Sequence, residues 1–333
     1  MIIPQPTCRI CDVEDTHPTF VVREMMFGTR EEFEYFLCNE CGCLQIADIP
    51  SDLSKFYPST YYSFNSQTVI PRKERVLTEL LERLRVRSAL FGQGFKLAKL
   101  ASCLVDFPLQ LKLIGPWLIK CNIQSFNAQF LDVGCGSSSW WLNDLKTLGF
   151  HNLLGADPYI DSDIKSGGIS ILKTDIQNIS DKFDLVSLHH SFEHIPNQAE
   201  TLRAIRSVLK PGGFCLIRIP LVSSIVWEKY GTDWVELDAP RHLYLHSLKS
   251  MKLLAKEQGL ELVDFFCDST EFEFWGSEQY RRDIPLMAED SFEINPSKSN
   301  FTYHEMAEFK KKAVEANSIG QGGRGCFIFQ TEH

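Results

Sequence analysis

Phe130-Leu131-Asp132-Val133-Gly134-Cys135-Gly136-Ser137 constrains this chain more than any other segment. A short apolar run ends in an acid and turns through Gly-x-Gly. Small polar residues then lead into a helix carrying Leu142, Leu145 and Leu148. Glycines at such a turn let a ligand approach the backbone with no Cβ in the way, and the following helix N-terminus offers unpaired N–H groups to a carboxylate. Gly-x-Gly alone is a weak signal. A dinucleotide fingerprint asks for a third glycine at position 139, which is Ser139, and has no special use for Asp132. Nicotinamide dinucleotides are therefore disfavoured.

The segment opens a series. From Phe126 onward short apolar runs alternate with helical stretches, and strands are expected at Gln129–Val133, Asn152–Ala156, Ile169–Leu172, Phe183–Leu188 and Phe214–Ile219. A helix over Ala199–Leu209 should close at Pro211-Gly212-Gly213. Another, over Leu248–Gln258, should stop at Gly259, before strands at Leu260–Cys267 and Gly325–Thr331. Repeated β-then-α units imply a parallel sheet covered on both faces, with ligands at the carboxyl ends of its strands. Residues 270–320 carry no pattern that organises them.

Asp157 closes the second expected strand, where a carboxylate can take both ribose hydroxyls of an adenosine. Asp175, after the third, is placed to accept from an adenine amino group. The fourth strand carries Phe183-Asp184-Leu185-Val186 into His189-His190-Ser191-Phe192-Glu193-His194, and a Leu-Lys-Pro-Gly-Gly turn spans Leu209 to Gly213. In this order the parts resemble the class I S-adenosylmethionine-dependent methyltransferases over about residues 126–330. The resemblance implies an α/β, Rossmann-like seven-stranded sheet with helices on both faces and its last strand antiparallel, binding S-adenosyl-L-methionine. Matched by position, Asp132 would orient the cofactor's amino group and Gly134, Cys135 and Gly136 would line its methionine end. Asp157 would hold the ribose and Asp175 the adenine. His190 is grouped with these cofactor residues; it stands where O-methyltransferases resembling the ubiquinone-pathway enzymes carry the first Glu of a metal-linked Glu-x-x-Glu-His.

His190 to His194 also spells the His-x-x-Glu-His of inverted zinc proteases. That chemistry needs one regular helix, and a strand end followed by Pro196 disfavours it. Asp238-Ala-Pro-Arg241-His242-Leu-Tyr244 follows Trp227 and Trp234 and resembles the acceptor-side segment of methyltransferases from bacterial polysaccharide and secondary-metabolite clusters. His242 and His194 are the candidate bases. The expected reaction is methylation of a small-molecule or glycan acceptor, most simply at a hydroxyl. Sugar C-methylation, RNA methylation and a zinc-ribbon adaptor with an idle methyltransferase fold are the alternatives. Residues 270–333 are too short for the extra C-terminal domain of the sugar C-methyltransferases, which moves weight toward oxygen.

Four of the 11 cysteines form two doublets, Cys8 with Cys11 and Cys38 with Cys41. Two such knuckles complete a tetrahedral sulfur site for Zn²⁺ or, less often, iron, and four thiolates close the shell, as a structural site requires. A similar four-cysteine region leads bacterial methyltransferases, sugar C-methyltransferases among them. The expected organisation is a zinc-ribbon-like domain at 1–60, a linker and basic amphipathic helices at 61–125, and the methyltransferase domain at 126–333. Residues 50–71 read as the linker, and Val76, Leu77, Leu80, Leu81 and Leu84 recur at helical spacing.

The formal charge of −9 argues against DNA, and against RNA, as the main partner. Residues 72–120 run the other way, with 10 basic and 4 acidic side chains, a local +6 that leaves about −15 for the rest. That segment is either a solvated face or one that rests on an anionic membrane or holds an anionic substrate. No uncharged apolar run is long enough to span a bilayer, and the N-terminus lacks a secretory pattern, so the expected location is cytoplasmic.

Overall fold

The computed structural model describes residues 6–58, 76–101, 103, 106, 108–299 and 301–331. Positions 59–71 of the expected linker and the first four residues of the basic segment lie outside the described residues. Nine α-helices are described: α1 (Val76–Phe91), α2 (Phe95–Ala101), α3 (Leu109–Lys120), α4 (Trp140–Thr147), α5 (Gln198–Val208), α6 (Ile225–Tyr230), α7 (Leu248–Glu257), α8 (Phe272–Arg281) and α9 (Tyr303–Ser318). A four-stranded sheet takes the order β1 (Thr19–Arg23), β2 (Glu32–Leu37), β3 (Leu44–Ile46), β10 (Tyr244–Leu245). The larger sheet is built from β4 (Gln129–Val133), β5 (Asn152–Ala156), β6 (Ile164–Ser166), β7 (Ile169–Leu172), β8 (Phe183–His189), β9 (Leu209–Pro220), β11 (Leu260–Cys267) and β12 (Arg324–Thr331). Its order is β11-β12-β9-β8-β4-β5-β7-β6. This is the expected α/β sheet with an eighth, short strand, β6, which pairs antiparallel with β7. β9 starts earlier than expected. It runs through Pro211-Gly212-Gly213, with Gly212 at φ +73°, so the Pro-Gly-Gly is a bend inside an extended segment rather than a boundary.

The described residues gather into two compact units, one within 1–58, 190–200 and 217–327, the other within 59–189, 201–216 and 328–333. In the second, β4 and β8 are apolar without alternation, and Phe130, Leu131, Leu185, Val186 and Leu188 are fully buried. Strands covered on both faces read this way. β4 pairs in parallel with β5 and β8, in a register that sets Asp132 opposite both Gly155 and Ser187. Helix α4 starts at Ser139, whose hydroxyl accepts from the Leu142 N–H, and buries Trp141, Leu142 and Leu145.

In the first unit β3 pairs antiparallel with β10, Tyr244 opposite Gln45. Tyr35 Oη donates to the His242 carbonyl at 2.8 Å, and Ser247 Oγ to the Cys41 carbonyl at 2.6 Å. Arg241, with no exposed surface, ties the same parts together. Its Nε donates to both Asp238 oxygens, Nη2 to Glu24 Oε1 at 2.8 Å and Nη1 to the Phe56 carbonyl at 3.1 Å. Residues 270–320 supply α8 and α9. A capping box starts α9: the Thr302 hydroxyl accepts from the Glu305 N–H, and the Glu305 carboxylate accepts in return.

Candidate active site

Within the second unit, β4 ends at Val133 and the chain turns through Gly134 and Gly136 at φ +68° and +64°. L side chains are strained there, so the loop is reserved for glycine. Gly134 N–H donates to the Ala156 carbonyl at 2.8 Å, and Gly136 N–H to Asp157 Oδ2 at 2.8 Å. Asp157 Oδ1 accepts from the Tyr159 N–H at 2.8 Å, so each of its oxygens holds one backbone donor and keeps a lone pair. Cys135 tucks its sulfur against Gly155, where any Cβ would stand 2.6 Å from Sγ. Burial pushes the Cys135 thiol up, and it stays protonated. Asp175 is exposed at the start of a 3₁₀ turn over Ile176–Asn178.

Asp132 is buried just below this loop and joins three elements. Oδ2 accepts from Ser139 Oγ at 2.6 Å, at the start of α4, and Oδ1 from Ser187 Oγ at 2.9 Å on β8. Burial, only partly offset by those two hydroxyls, pushes its carboxyl up to about 7. A raised folded value means stabilisation that is full below the ordinary carboxylate range and is lost as pH climbs through 7, a loss on the order of 4 kcal/mol. Asp132→Asn lacks that dependence. Its melting temperature relative to the parent should therefore rise steadily from about pH 4 to about pH 8, as calorimetry at each pH would read; a gap that ignores pH would contradict the argument.

Beside Ser139 stands an aromatic group that sequence reasoning missed. Trp140 is 44% exposed, and its ring centroid lies 5.0 Å from that of His189 and 6.4 Å from that of Trp117, with Trp141 buried behind. The Trp140-Trp141 doublet after the glycine loop was its available signal.

The first unit holds the histidines. His190 sits at φ +51°, and only a three-residue 3₁₀ turn, Phe192–His194, follows. His190 and His194 therefore do not share the regular helix face that an inverted zinc protease uses. Glu193 is fully buried, neither of its oxygens has a hydrogen-bond partner among the described residues, and burial pushes its carboxyl up to about 8. His190 Nδ1 lies 3.4 Å from Glu193 Oε1. His194 Nδ1 is 2.9 Å from the Arg241 carbonyl and His242 Nδ1 is 2.7 Å from the Glu236 carbonyl. A carbonyl only accepts, so both Nδ1 atoms carry the proton and both Nε2 atoms carry a lone pair. Burial lowers both imidazoles, with His194 brought to about 3 by burial and by its neighbour His242. Their ring centroids are 4.7 Å apart.

A family described as a methyltransferase domain matches residues 77–264, more than half of the sequence. The chain belongs to that family. It is an S-adenosylmethionine-dependent methyltransferase. No curated protein matches this methyltransferase. Among solved structures, a methyltransferase of this donor class from Archaeoglobus fulgidus is 18% identical, with a TM-score of 0.41 over 66% of this chain and 92% of its own. The cyclopropane synthase MmaA2 from Mycobacterium tuberculosis is 13% identical, with a TM-score of 0.41 over 68% and 86%. A further one, from Mesorhizobium loti, is 15% identical, with a TM-score of 0.38 over 61% and 91%.

The methyltransferase also brings its four predicted metal cysteines together. One sulfur from each of Cys8, Cys11, Cys38 and Cys41 lies within 4.8 Å of the others, with Cys8–Cys41 at 3.6 Å and Cys11–Cys38 at 3.5 Å. Zn–S bonds of about 2.3 Å at tetrahedral angles give sulfurs about 3.8 Å apart, so the cluster is already near that size. Gln45 Nε2 donates to Cys8 Sγ at 2.9 Å, the kind of outer contact that steadies a thiolate. Contact with Cys41 is the largest cause that brings the Cys8 thiol down to about 4, while Cys41 is pushed up in exchange. Cys43 stays outside the set, buried 4.0 Å from His246 Nδ1.

Proposed function

We propose that this methyltransferase moves the methyl group of S-adenosylmethionine to a hydroxyl of a small-molecule or glycan acceptor, in polysaccharide or secondary-metabolite biosynthesis. The observation that carries the donor half is the Gly134–Gly136 turn with the Asp157 carboxylate bonded to its backbone. Two positive-φ glycines leave room for the methionine end, and the spare lone pairs of Asp157 fit ribose hydroxyls. Asp132 holds the loop's shape through Ser139 and Ser187 and is the candidate partner for the cofactor's amino group, as Asp175 is for its adenine. When bound, the cofactor supplies an electrophilic methyl on a sulfonium. The protein's task is then to orient the acceptor, exclude water and take a proton.

His194 and His242 support the oxygen acceptor. Both are held neutral with Nε2 lone pairs outward from their carbonyl partners, the form in which an imidazole takes a hydroxyl proton, an aid worth about 10²-fold or more. Isothermal titration with S-adenosylhomocysteine tests the assignment. Asp157→Ala should weaken binding about tenfold to a hundredfold, as loss of charge-assisted hydrogen bonds does, whereas His242→Ala should bind normally and turn over slowly. Equal binding by Asp157→Ala and the parent would refute the cradle.

Four thiolates closing one shell support a structural Zn²⁺ at Cys8, Cys11, Cys38 and Cys41. None of the 11 cysteines is in a disulfide, which fits a reducing, cytoplasmic setting. Among the described residues no helix is long and apolar enough to cross a membrane. Contact with a membrane surface is a different matter. Phe95, Leu97, Leu109 and Leu113 are each more than half exposed on α2 and α3, with Lys96 and Lys112 exposed among them. Apolar and cationic side chains interleaved this way suit an anionic bilayer. In flotation assays the protein should rise with phosphatidylglycerol vesicles and not with phosphatidylcholine ones, and Leu109→Ser with Leu113→Ser should abolish the difference. Equal flotation with both vesicle types would sink this part.

A further inference from the structure

We propose that Glu193, His194 and His242 hold a divalent cation at a second metal site, separate from the four thiolates. One ligand atom from each of the three lies within 4.8 Å of the others. Three features of the geometry carry the assignment. First, each imidazole commits Nδ1 to a backbone carbonyl, at 2.9 Å for His194 and 2.7 Å for His242, which leaves Nε2 as the donor atom. Metal-bound histidines are oriented by this kind of bond from the far nitrogen. Second, the Glu193 carboxyl has no exposed surface and no hydrogen-bond partner for either oxygen among the described residues. An orphaned buried carboxyl is costly to keep unless something binds it. Third, the spacing is close to what a metal needs. Bonds of about 2.1 Å around a tetrahedral centre put ligand atoms about 3.4 Å apart, and His242 Nε2 lies 3.9 Å from Glu193 Oε1, so that pair needs to close by about half an ångström.

Other polar groups define the edges of the site. Asp238 Oδ2 is also 3.9 Å from His242 Nε2, but Arg241 already engages both Asp238 oxygens. His190 Nδ1 lies 3.4 Å from Glu193 Oε1 but is not among the three residues whose ligand atoms all lie within 4.8 Å of one another. Two imidazoles and a carboxylate are a borderline donor set that suits Zn²⁺, Fe²⁺ or Mn²⁺ rather than Ca²⁺.

With three protein ligands the shell stays open, unlike the cysteine site. The inference rests on the hydroxyl-methylation reading and deepens it. A cation held there would make a hydroxyl bound beside it more acidic, so that its proton could pass to solvent water, and the Nε2 atoms of His194 and His242 would then serve as its ligands instead of taking that proton themselves.

Metal stoichiometry on the full chain tests it without donor or acceptor. Titrated with Zn²⁺, the parent should bind two equivalents, and Glu193→Gln and His242→Asn should each bind one. Both variants should take up S-adenosylhomocysteine with parental affinity, which shows that they are folded. Cobalt substitution separates the sites: thiolate-to-metal bands persist in the variants, while the visible bands of the second site vanish. A parent that saturates at one equivalent, or folded variants that still bind two, overturns the site. Two metals bound without any S-adenosylhomocysteine affinity would instead remove the methyl-transfer reading and leave the site standing.

Discussion

Arg241→Ala should cost about 3–5 kcal/mol, the range for removing one partner from a buried ion pair. Its guanidinium spans Asp238, Glu24 and the Phe56 carbonyl with no exposed surface of its own, and Glu24 is equally buried. Burial alone would raise the Asp238 carboxyl; the Arg241 charge overrides it and holds the group below the ordinary carboxylate range. Without that charge two carboxylates are stranded in the interior. Arg241→Lys should recover little, because an ammonium cannot reach three partners that a planar fork reaches at once. Urea unfolding reads the loss, and a change under about 1 kcal/mol would show that the carboxylates find other partners. His242 follows Arg241 in sequence and His194 bonds to the Arg241 carbonyl, so activity should fall with stability.

The second large effect is expected at the cysteine cluster. Cys38→Ser, or a strong chelator, would remove the Zn²⁺ proposed above, and metal binding stabilises small isolated ribbons by about 10 kcal/mol or more. β1, β2 and β3 are short, and Cys8, Cys38 and Cys41 are nearly inaccessible, but Tyr35, Phe36, Leu44 and Ile46 are also buried there, so the loss should be large yet smaller than for an isolated ribbon. Limited proteolysis should cut first within residues 6–58. Because β3 pairs with β10 and Ser247 Oγ bonds to the Cys41 carbonyl, the damage should reach the segment that carries His242. Unchanged proteolysis after complete zinc loss would show that the ribbon stands without metal.

Much of this was legible before any coordinates, for local reasons. β4, β5, β7 and β11 begin and end where the apolar runs do: β4, buried along nearly its whole length, reads as a near-continuous apolar run, while the half-buried β7 and β11 are marked by the turn residues and glycines around them. The cysteine doublets came together because their spacing already encodes a knuckle. Residues 270–320 resisted because their helices are announced by caps rather than by apolar stripes: α9 is marked by Thr302-x-x-Glu305, and the pattern on its face is diluted by Lys310, Lys311 and Lys312. The isolation of Glu193 and the threefold grip of Arg241 could not be read at all. Both depend on contacts between segments far apart in the chain, which no local pattern records.

The pairing of β3 with β10 joins Gln45 to Tyr244, about 200 residues later. On a ribosome adding about 5–20 residues per second, the ribbon must wait roughly 10–40 s for its fourth strand. Through that interval the Zn²⁺ proposed for the cysteines would keep the nascent ribbon's apolar edge from pairing with strangers. Zinc supply during synthesis should therefore govern the yield of native enzyme.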